Sequence, residues 1–132
     1  MSKVDTHLIC DKHLIIVGWT IGMQEIFGYE PSEILGKHVM VLVPDDKQET
    51  AIKMLTQIGR HDTPSEREKW LSTMRESGEV IADVDYGRIF GFESERLTKS
   101  GERVKLTIDM LSIKNLTGDH CATQISPVRG WS

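Results

Sequence analysis

Two cysteines and five histidines are the side chains of this 132-residue sequence best suited to nucleophilic, acid–base or metal-binding chemistry. Cys10 and Cys121 belong to no C-x-x-C motif, and the histidines have no i, i+4 spacing that would place two on one helix face. The sequence also contains no G-x-S-x-G, H-E-x-x-H or G-x-x-x-x-G-K-[ST] motif. It therefore predicts neither an enzyme nor a metal site.

The two cysteines are expected to be free and buried, because a cytosolic domain with two thiols usually keeps them reduced. A nucleophilic pair would require a histidine base beside Cys10 or Cys121 in the folded chain, and such partners need not be near in sequence. A thiol-dependent enzyme is therefore the weakest of three functional hypotheses.

The composition indicates one soluble domain. Hydrophobic residues make up 39% of the 132 positions, enough for a single core without disulfide or metal support. Lys and Arg number 16 against 20 Asp and Glu, and the net charge of -4 argues against a nucleic-acid partner. The apolar stretches, such as residues 14–17 and 39–43, are far shorter than the ~20 residues that span a bilayer. We therefore expect no membrane association and a cytoplasmic location.

The pattern at the start of the chain is that of a β-hairpin followed by a short helix. Two β-type runs at 7–10 and 13–17 are separated by a polar turn. Apolar residues then recur at helical spacing over 20–27, with Thr20 as the predicted N-cap.

Two longer helical patterns come next. The first begins near Lys47 and ends at Gly59, and its apolar residues share one face. The second opens at Thr63 with a proline at its first helical position and ends before Gly78. The second pattern carries three large apolar residues, Trp70, Leu71 and Met74.

After Gly78 the pattern changes to β structure. It is weak over 80–86, stronger over 90–97 and clearest over 103–114, where apolar and polar residues alternate strictly at first. A last strand is predicted over 120–125, after a turn that contains glycine. Strands at both ends with helices between them predict an α+β fold, an antiparallel sheet covered by helices on one face.

The stretch FGYEPSEILGK at 27–37 contains two helix ends and two glycine stops. Gly28 can close one helix in the left-handed conformation, Pro31 suits the first position of the next, and Gly36 ends it. This stretch resembles the signature of the PAS sensor domain, where a glycine-tyrosine pair precedes a short acidic helix ending in glycine. LTKSGERVKL at 97–106 resembles the charged hairpin tip of that family, and VLVPDD at 41–46 resembles the segment before its long helix.

The resemblance implies a PAS fold, with a five-stranded antiparallel sheet and short helices on one face. We expect residues 1–132 to form a single PAS domain with a core at about 7–126. A helical insertion at about 59–88, before the third strand, exceeds the usual length of the family. Its apolar residues either cover the edge of the domain or meet a partner.

PAS domains often hold haem or flavin between the sheet and the helices. The light-sensing branch uses a cysteine just before the long helix, but residues 39–43 contain none, so no photoreactive flavin-cysteine site is expected. The haem-binding branch commonly uses a histidine in that helix, and residues 45–58 contain none. His61 and His38 are weak haem-ligand candidates that fit a loop better. We expect no cofactor, with haem and flavin as the alternatives.

A ligand pocket or a filled core is the remaining question. Trp19 either fills space or stacks on a planar ligand, and the methionines either plug gaps or line an adaptable cavity. The candidate lining residues are Trp19, Phe27, Met40, Met54, Leu55, Phe90, Ile108 and Met110.

The first hypothesis is a sensory or regulatory PAS module that binds a small ligand or a protein partner. It would relay a conformational signal to an effector domain, in the same polypeptide or in a partner protein. The alternative is a ligand-free interaction or dimerisation module, whose exposed sheet face would include Leu111 and Ile113 and could pair with a second copy. In this family the last strand usually ends in an Asp-hydrophobic-Thr triplet that couples the domain to the next one. Here Ser126-Pro127 follows Ile125, so the resemblance does not extend to that triplet.

Overall fold

The computed structural model describes residues 5–58, 64–85 and 87–129, and these residues form one six-stranded antiparallel sheet. The strands are β1 (Leu8–Asp11), β2 (Ile16–Trp19), β3 (Asp83–Asp85), β4 (Arg88–Leu97), β5 (Arg103–Lys114) and β6 (His120–Arg129). The strand order is β2-β1-β6-β5-β4-β3, so the first strand of the chain lies beside the last.

Short helices connect β2 to β3 and cover one face of the sheet. A 3-10 segment at Val39–Leu42 and a 3-10 turn at Asp45–Lys47 lie between the second and third α-helices. None of the helices in the described parts of the chain is both long enough and apolar enough to cross a bilayer. The α-helices are α1 (Ile21–Phe27), α2 (Pro31–Ile34), α3 (Gln48–Gln57) and α4 (Pro64–Glu76).

The predicted alternation of β5 is confirmed. Leu106, Ile108 and Met110 are buried on the inner face, while Lys105 and Asp109 point to the outer face. The strand pairs with β4 on one side and with β6 on the other. Because side chains alternate every residue along a strand, these pairings bring the apolar positions of all three strands to the same face.

One buried cluster joins the sheet to the helices. The sheet contributes residues such as Leu8, Phe92 and Leu106, and the helices contribute residues such as Met23 and Leu55. The predicted insertion takes part as well, because Met74 of α4 and the neighbouring Ile81 and Val84 belong to this cluster.

The three segments that carry the family resemblance meet at one end of the sheet. In the turn between β4 and β5, the backbone N–H of Lys99 donates to the carbonyl of Phe27 at 2.8 Å. Its ammonium group pairs with the carboxylate of Glu33, in α2. Arg103 pairs with Asp46 at 2.7 Å. The hairpin tip is thereby tied to both helical segments.

The sheet has six strands rather than the expected five. The additional strand is β3, a three-residue segment that pairs with the start of β4 within the predicted insertion. The last strand also continues to Arg129, past the expected core limit at 126. Pro127 is tolerated in it because β1 pairs with β6 only as far as Ile125, which leaves one side of β6 without a strand there.

Thr20 occupies the predicted N-cap position of α1, but its side chain makes no capping hydrogen bond. Its hydroxyl donates to the carbonyl of His7 at 3.0 Å and accepts from the N–H of His7 at 2.9 Å. Thr20 therefore fastens the chain entering β1 to the chain leaving β2. The expected helix stop at Gly59 and the capping residue Thr63 lie outside the described residues.

Gly91→Ala should lower the free energy of unfolding by roughly 2–4 kcal/mol. The added Cβ would lie 2.7 Å from the Cβ of Ala82, at a backbone φ of +62°. Gly101→Ala is the matched control, because its φ is +88° but no atom lies within 4 Å of the added Cβ. Only the conformational cost of about 1–2 kcal/mol applies there. Urea unfolding measures the free energy of unfolding of both variants. An equal loss of stability in the two variants would contradict the close packing of Ala82 on β4.

Candidate functional site

A cavity of about 30 Å³ lies between the inner face of the sheet and the helices. The wall on the sheet side includes Leu106, Ile108 and Met110 of β5. The roof includes Met23 and Phe27 of α1, and α3 and the 3-10 segment close the sides. Five of the eight candidate residues line this cavity, and they are Phe27, Met40, Leu55, Ile108 and Met110.

Trp19 and Met54 do not line the cavity. The indole N–H of Trp19 donates to the carbonyl of Tyr29 at 2.9 Å, and its ring centroid lies 5.9 Å from that of Phe27. Trp19 therefore packs at the junction of β2 and the helices. Met54 is fully buried in the packed part of the core.

Phe90 lies on the opposite face of the sheet, where the guanidinium carbon of Arg88 is 6.0 Å from the centroid of its ring. The pairing of β4 with β5 shifts between Ile89 and Phe92, and both of these residues are buried. Phe90 and Gly91 occupy the irregularity between them. A glycine inside a strand pattern is typical of a bulge, so Gly91 was the signal that strict alternation fails here.

Arg96 is a cavity residue that the sequence analysis did not identify. It lies on the inner face of β4 and is 7% exposed. Its Nη1 donates to the hydroxyl of Ser94 at 2.9 Å and to the carbonyl of Glu95 at 2.8 Å. The guanidinium carbon is 5.8 Å from the ring centroid of Phe92. The spacing of Phe92, Ser94 and Arg96 along one strand was the available signal, because alternate residues share a face.

The Arg96 guanidinium remains charged at neutral pH. Burial lowers the pKa of Arg96 to about 10, and the negative charge of Glu79 partly opposes this shift. Within the described residues, none of the ion pairs includes Arg96. The cavity wall therefore contains a buried cation with no carboxylate of the described residues at ion-pair distance.

Of the two haem-ligand candidates, only His38 lies in the described part of the chain, and it does not line the cavity. His38 is exposed, and its Nδ1 accepts from the N–H of Met40 at 3.1 Å, which caps the 3-10 segment. His61 lies outside the described residues. At about 30 Å³, the cavity in this conformation is smaller than the ~300 Å³ that ligand pockets usually exceed, so it would have to expand to hold a haem or flavin ring.

Cys10 is fully buried on the inner face of β1, opposite Thr123 of β6. Burial, with the negative charge of Asp11, raises the pKa of the Cys10 thiol to about 11. Cys121 is half-buried rather than buried, and its thiol donates to the carbonyl of Ile113 at 3.3 Å. A neutral thiol is a poor nucleophile, so this environment does not favour catalysis by Cys10.

The model of the PAS fold family matches residues 5–98, and the chain belongs to the PAS family of sensory and signalling domains. No curated protein matches the sequence. A solved PAS domain of a Colwellia psychrerythraea protein is similar, with a TM-score of 0.63 and 15% identity over 96% of this chain and 86% of that one.

Two further solved structures have the same fold. The photo-excited blue-light photoreceptor Vivid has a TM-score of 0.61 and 17% identity over 98% of this chain and 82% of its own. The PAS-B domain of Cycle from Drosophila melanogaster has a TM-score of 0.64 and 10% identity over 95% of this chain and 99% of its own. Identities this low establish the fold alone.

A thiol reagent should leave Cys10 unmodified in the native protein. With a pKa of about 11, only about one Cys10 in a thousand is a thiolate at about pH 8. The Cys121→Ser variant leaves Cys10 as its single thiol, and DTNB absorbance follows its reaction in buffer and in urea. Slow labelling in buffer and fast labelling in urea are expected. Fast labelling of the native variant would instead support the thiol-dependent enzyme.

Proposed function

We propose that this chain is a sensory or regulatory PAS domain that binds a small ligand in the cavity beneath α1 and α3. Binding would bias the conformation of the surrounding helices and so act on an effector domain of the same polypeptide or on a protein partner. The observation that carries this proposal is the position of the cavity. It lies where α1, α3 and the 3-10 segment meet the inner face of the sheet.

The cavity lining can adapt to a ligand larger than the present volume. Three of its residues, Met23, Met40 and Met110, have unbranched and flexible side chains that repack at low cost. A ligand acts only if it binds one arrangement of the domain better than another. The ligand-free and ligand-bound arrangements of the domain would differ in the positions of these methionine side chains.

The lid, residues 20–36 with α1 and α2, is the segment that would respond first. Phe27 lines the cavity and also accepts the backbone hydrogen bond of Lys99. A shift of Phe27 would therefore reach the turn between β4 and β5. The insertion at 59–88 is the second segment expected to respond, since Met74 packs on the same core.

A structural neighbour supports a ligand of small size. The Cycle PAS-B domain from Drosophila melanogaster is described with bound ethylene glycol. A variant of that domain is described with bound glycerol. We therefore propose a small organic molecule as the ligand of this chain.

Xenon should bind the cavity, because it is an apolar probe that enters small dry cavities. NMR spectra of the protein labelled at methionine methyl groups should then show shifts at Met23, Met40 and Met110. The Ala51→Val variant fills space at the cavity wall, so it should lose most of these shifts and about 1–3 kcal/mol of stability.

Thr56→Val is the matched control, since Thr56 is exposed on the same helix. It should keep the wild-type xenon shifts. Wild-type protein whose methionine signals do not respond to xenon would contradict the small-ligand proposal. Native mass spectrometry of freshly purified protein then identifies any ligand that copurifies.

A second candidate function is a ligand-free interaction or dimerisation module. The observation in its favour is the outer face of the sheet, where Ile9, Phe90, Leu111 and Ile113 remain partly exposed and Val128 is 65% exposed. An apolar sheet face of this kind can pair with a second copy or with another protein.

Sedimentation velocity tests this candidate with two leucine variants. If the outer face forms a dimer, wild-type protein should sediment as a dimer at high micromolar concentration and Leu111→Glu as a monomer. Leu116→Glu is the control, because Leu116 is fully exposed in the turn between β5 and β6. A wild-type monomer at every concentration would contradict dimerisation.

A further inference from the structure

Arg96 is chemically different from every other residue that lines the cavity. The others in the described chain are leucine, isoleucine, valine, methionine, alanine, phenylalanine and proline side chains. An inward-facing cation in an otherwise apolar wall is unusual, because buried charges are normally paired with an opposite charge.

The donors of Arg96 are only partly used. Its Nη1 makes both hydrogen bonds of the side chain in the described residues, to Ser94 and to the carbonyl of Glu95. A guanidinium group carries five N–H donors, so Nε and Nη2 retain unused hydrogen-bonding capacity. These are the donors that bind a carboxylate in a two-point arrangement.

Glu79 does not supply the missing partner. Its negative charge reaches Arg96 through space, but the two groups form no ion pair. The Glu79 carboxylate instead accepts from the hydroxyl of Thr50 at 3.3 Å. Within the described residues, Arg96 therefore has no carboxylate at ion-pair distance, and Glu79 acts on it only at longer range.

We infer that the cavity recognises a small monocarboxylate with an apolar remainder, whose carboxylate accepts from Arg96 and whose apolar part displaces the methionines. This inference rests on the proposed ligand-binding function of the cavity. A carboxylate carries a single negative charge, which one guanidinium neutralises. A phosphate carries more charge and needs further donors, which the apolar lining does not supply.

Recognition through Arg96 also gives the ligand a route to the lid. Arg96 lies three residues before Lys99, and Lys99 contacts Phe27 and Glu33. A ligand held by Arg96 would contact β4, and its apolar part would contact Phe27 from inside the cavity. The same molecule would thus contact β4, which leads to Lys99, and Phe27, which accepts the hydrogen bond of Lys99.

The test compares butanoate with 1-butanol and inorganic phosphate, each added to the full chain and followed by NMR shifts at the methionine methyl groups. Wild-type protein should bind butanoate roughly tenfold more tightly than 1-butanol, because only butanoate can pair with Arg96. Phosphate should not shift these signals. Butanoate that binds no better than 1-butanol, or phosphate that binds as well as butanoate, would overturn the inference.

Two substitutions test whether the Arg96 guanidinium causes the preference for butanoate. Arg96→Met keeps the length of the side chain without its charge, so it should lose the preference for butanoate and retain xenon binding. Arg96→Lys keeps the charge but not the two-point geometry, so its preference should be intermediate. An unchanged preference for butanoate in Arg96→Met would overturn the inference.

Xenon separates this inference from the proposed function on which it rests. Wild-type protein that responds to xenon without preferring butanoate overturns the carboxylate inference and leaves the cavity as a ligand site. Wild-type protein that responds to neither xenon, 1-butanol nor butanoate overturns both. If Arg96→Met fails to fold, as judged by circular dichroism, Arg96→Lys provides the comparison with wild type.

Discussion

The inner face of β5 is the constraint on which the rest of the structure depends. Its buried residues alternate with polar ones, and the strand pairs with β4 and β6 on its two sides. One face of the sheet is therefore apolar over a wide area and must be covered, because leaving it in water would forfeit the main favourable contribution to folding. The short helices between β2 and β3 supply that cover, and the cavity remains where they meet the sheet.

The cover is fixed at one end of the sheet by polar contacts rather than by more apolar surface. Lys99 joins the hairpin tip to Phe27 and Glu33, and Arg103 joins the start of β5 to Asp46. Exposed ion pairs of this kind contribute little stability, but they select one arrangement of the chain. The backbone of Lys99 also contacts Phe27, which lines the cavity, so these surface contacts adjoin the cavity wall.

Regular patterns in the sequence predicted the strands and helices whose residues follow a regular spacing. The alternation of 103–114 and the glycine stops at Gly28 and Gly36 gave β5, α1 and α2 with nearly correct bounds. Irregular features do not follow from such patterns, since Gly91 interrupts the alternation and turns Phe90 outwards. The weak β pattern over 80–86 does contain β3, although the family resemblance implied five strands rather than six. The burial of Arg96 does not follow from the alternation, because charged residues are rarely buried and the inner face of a strand is recognised by its apolar residues.

A crystal structure of the full chain under xenon pressure tests the central claim most directly, since it locates the probe atom itself. The account predicts a xenon atom enclosed by Phe27, Leu55 and Met110, close to Arg96 on the inner face of the sheet, with α1 displaced from its position in the unpressurised crystal. Xenon found solely at the protein surface, with the methionines still filling the space between sheet and helices, would contradict it.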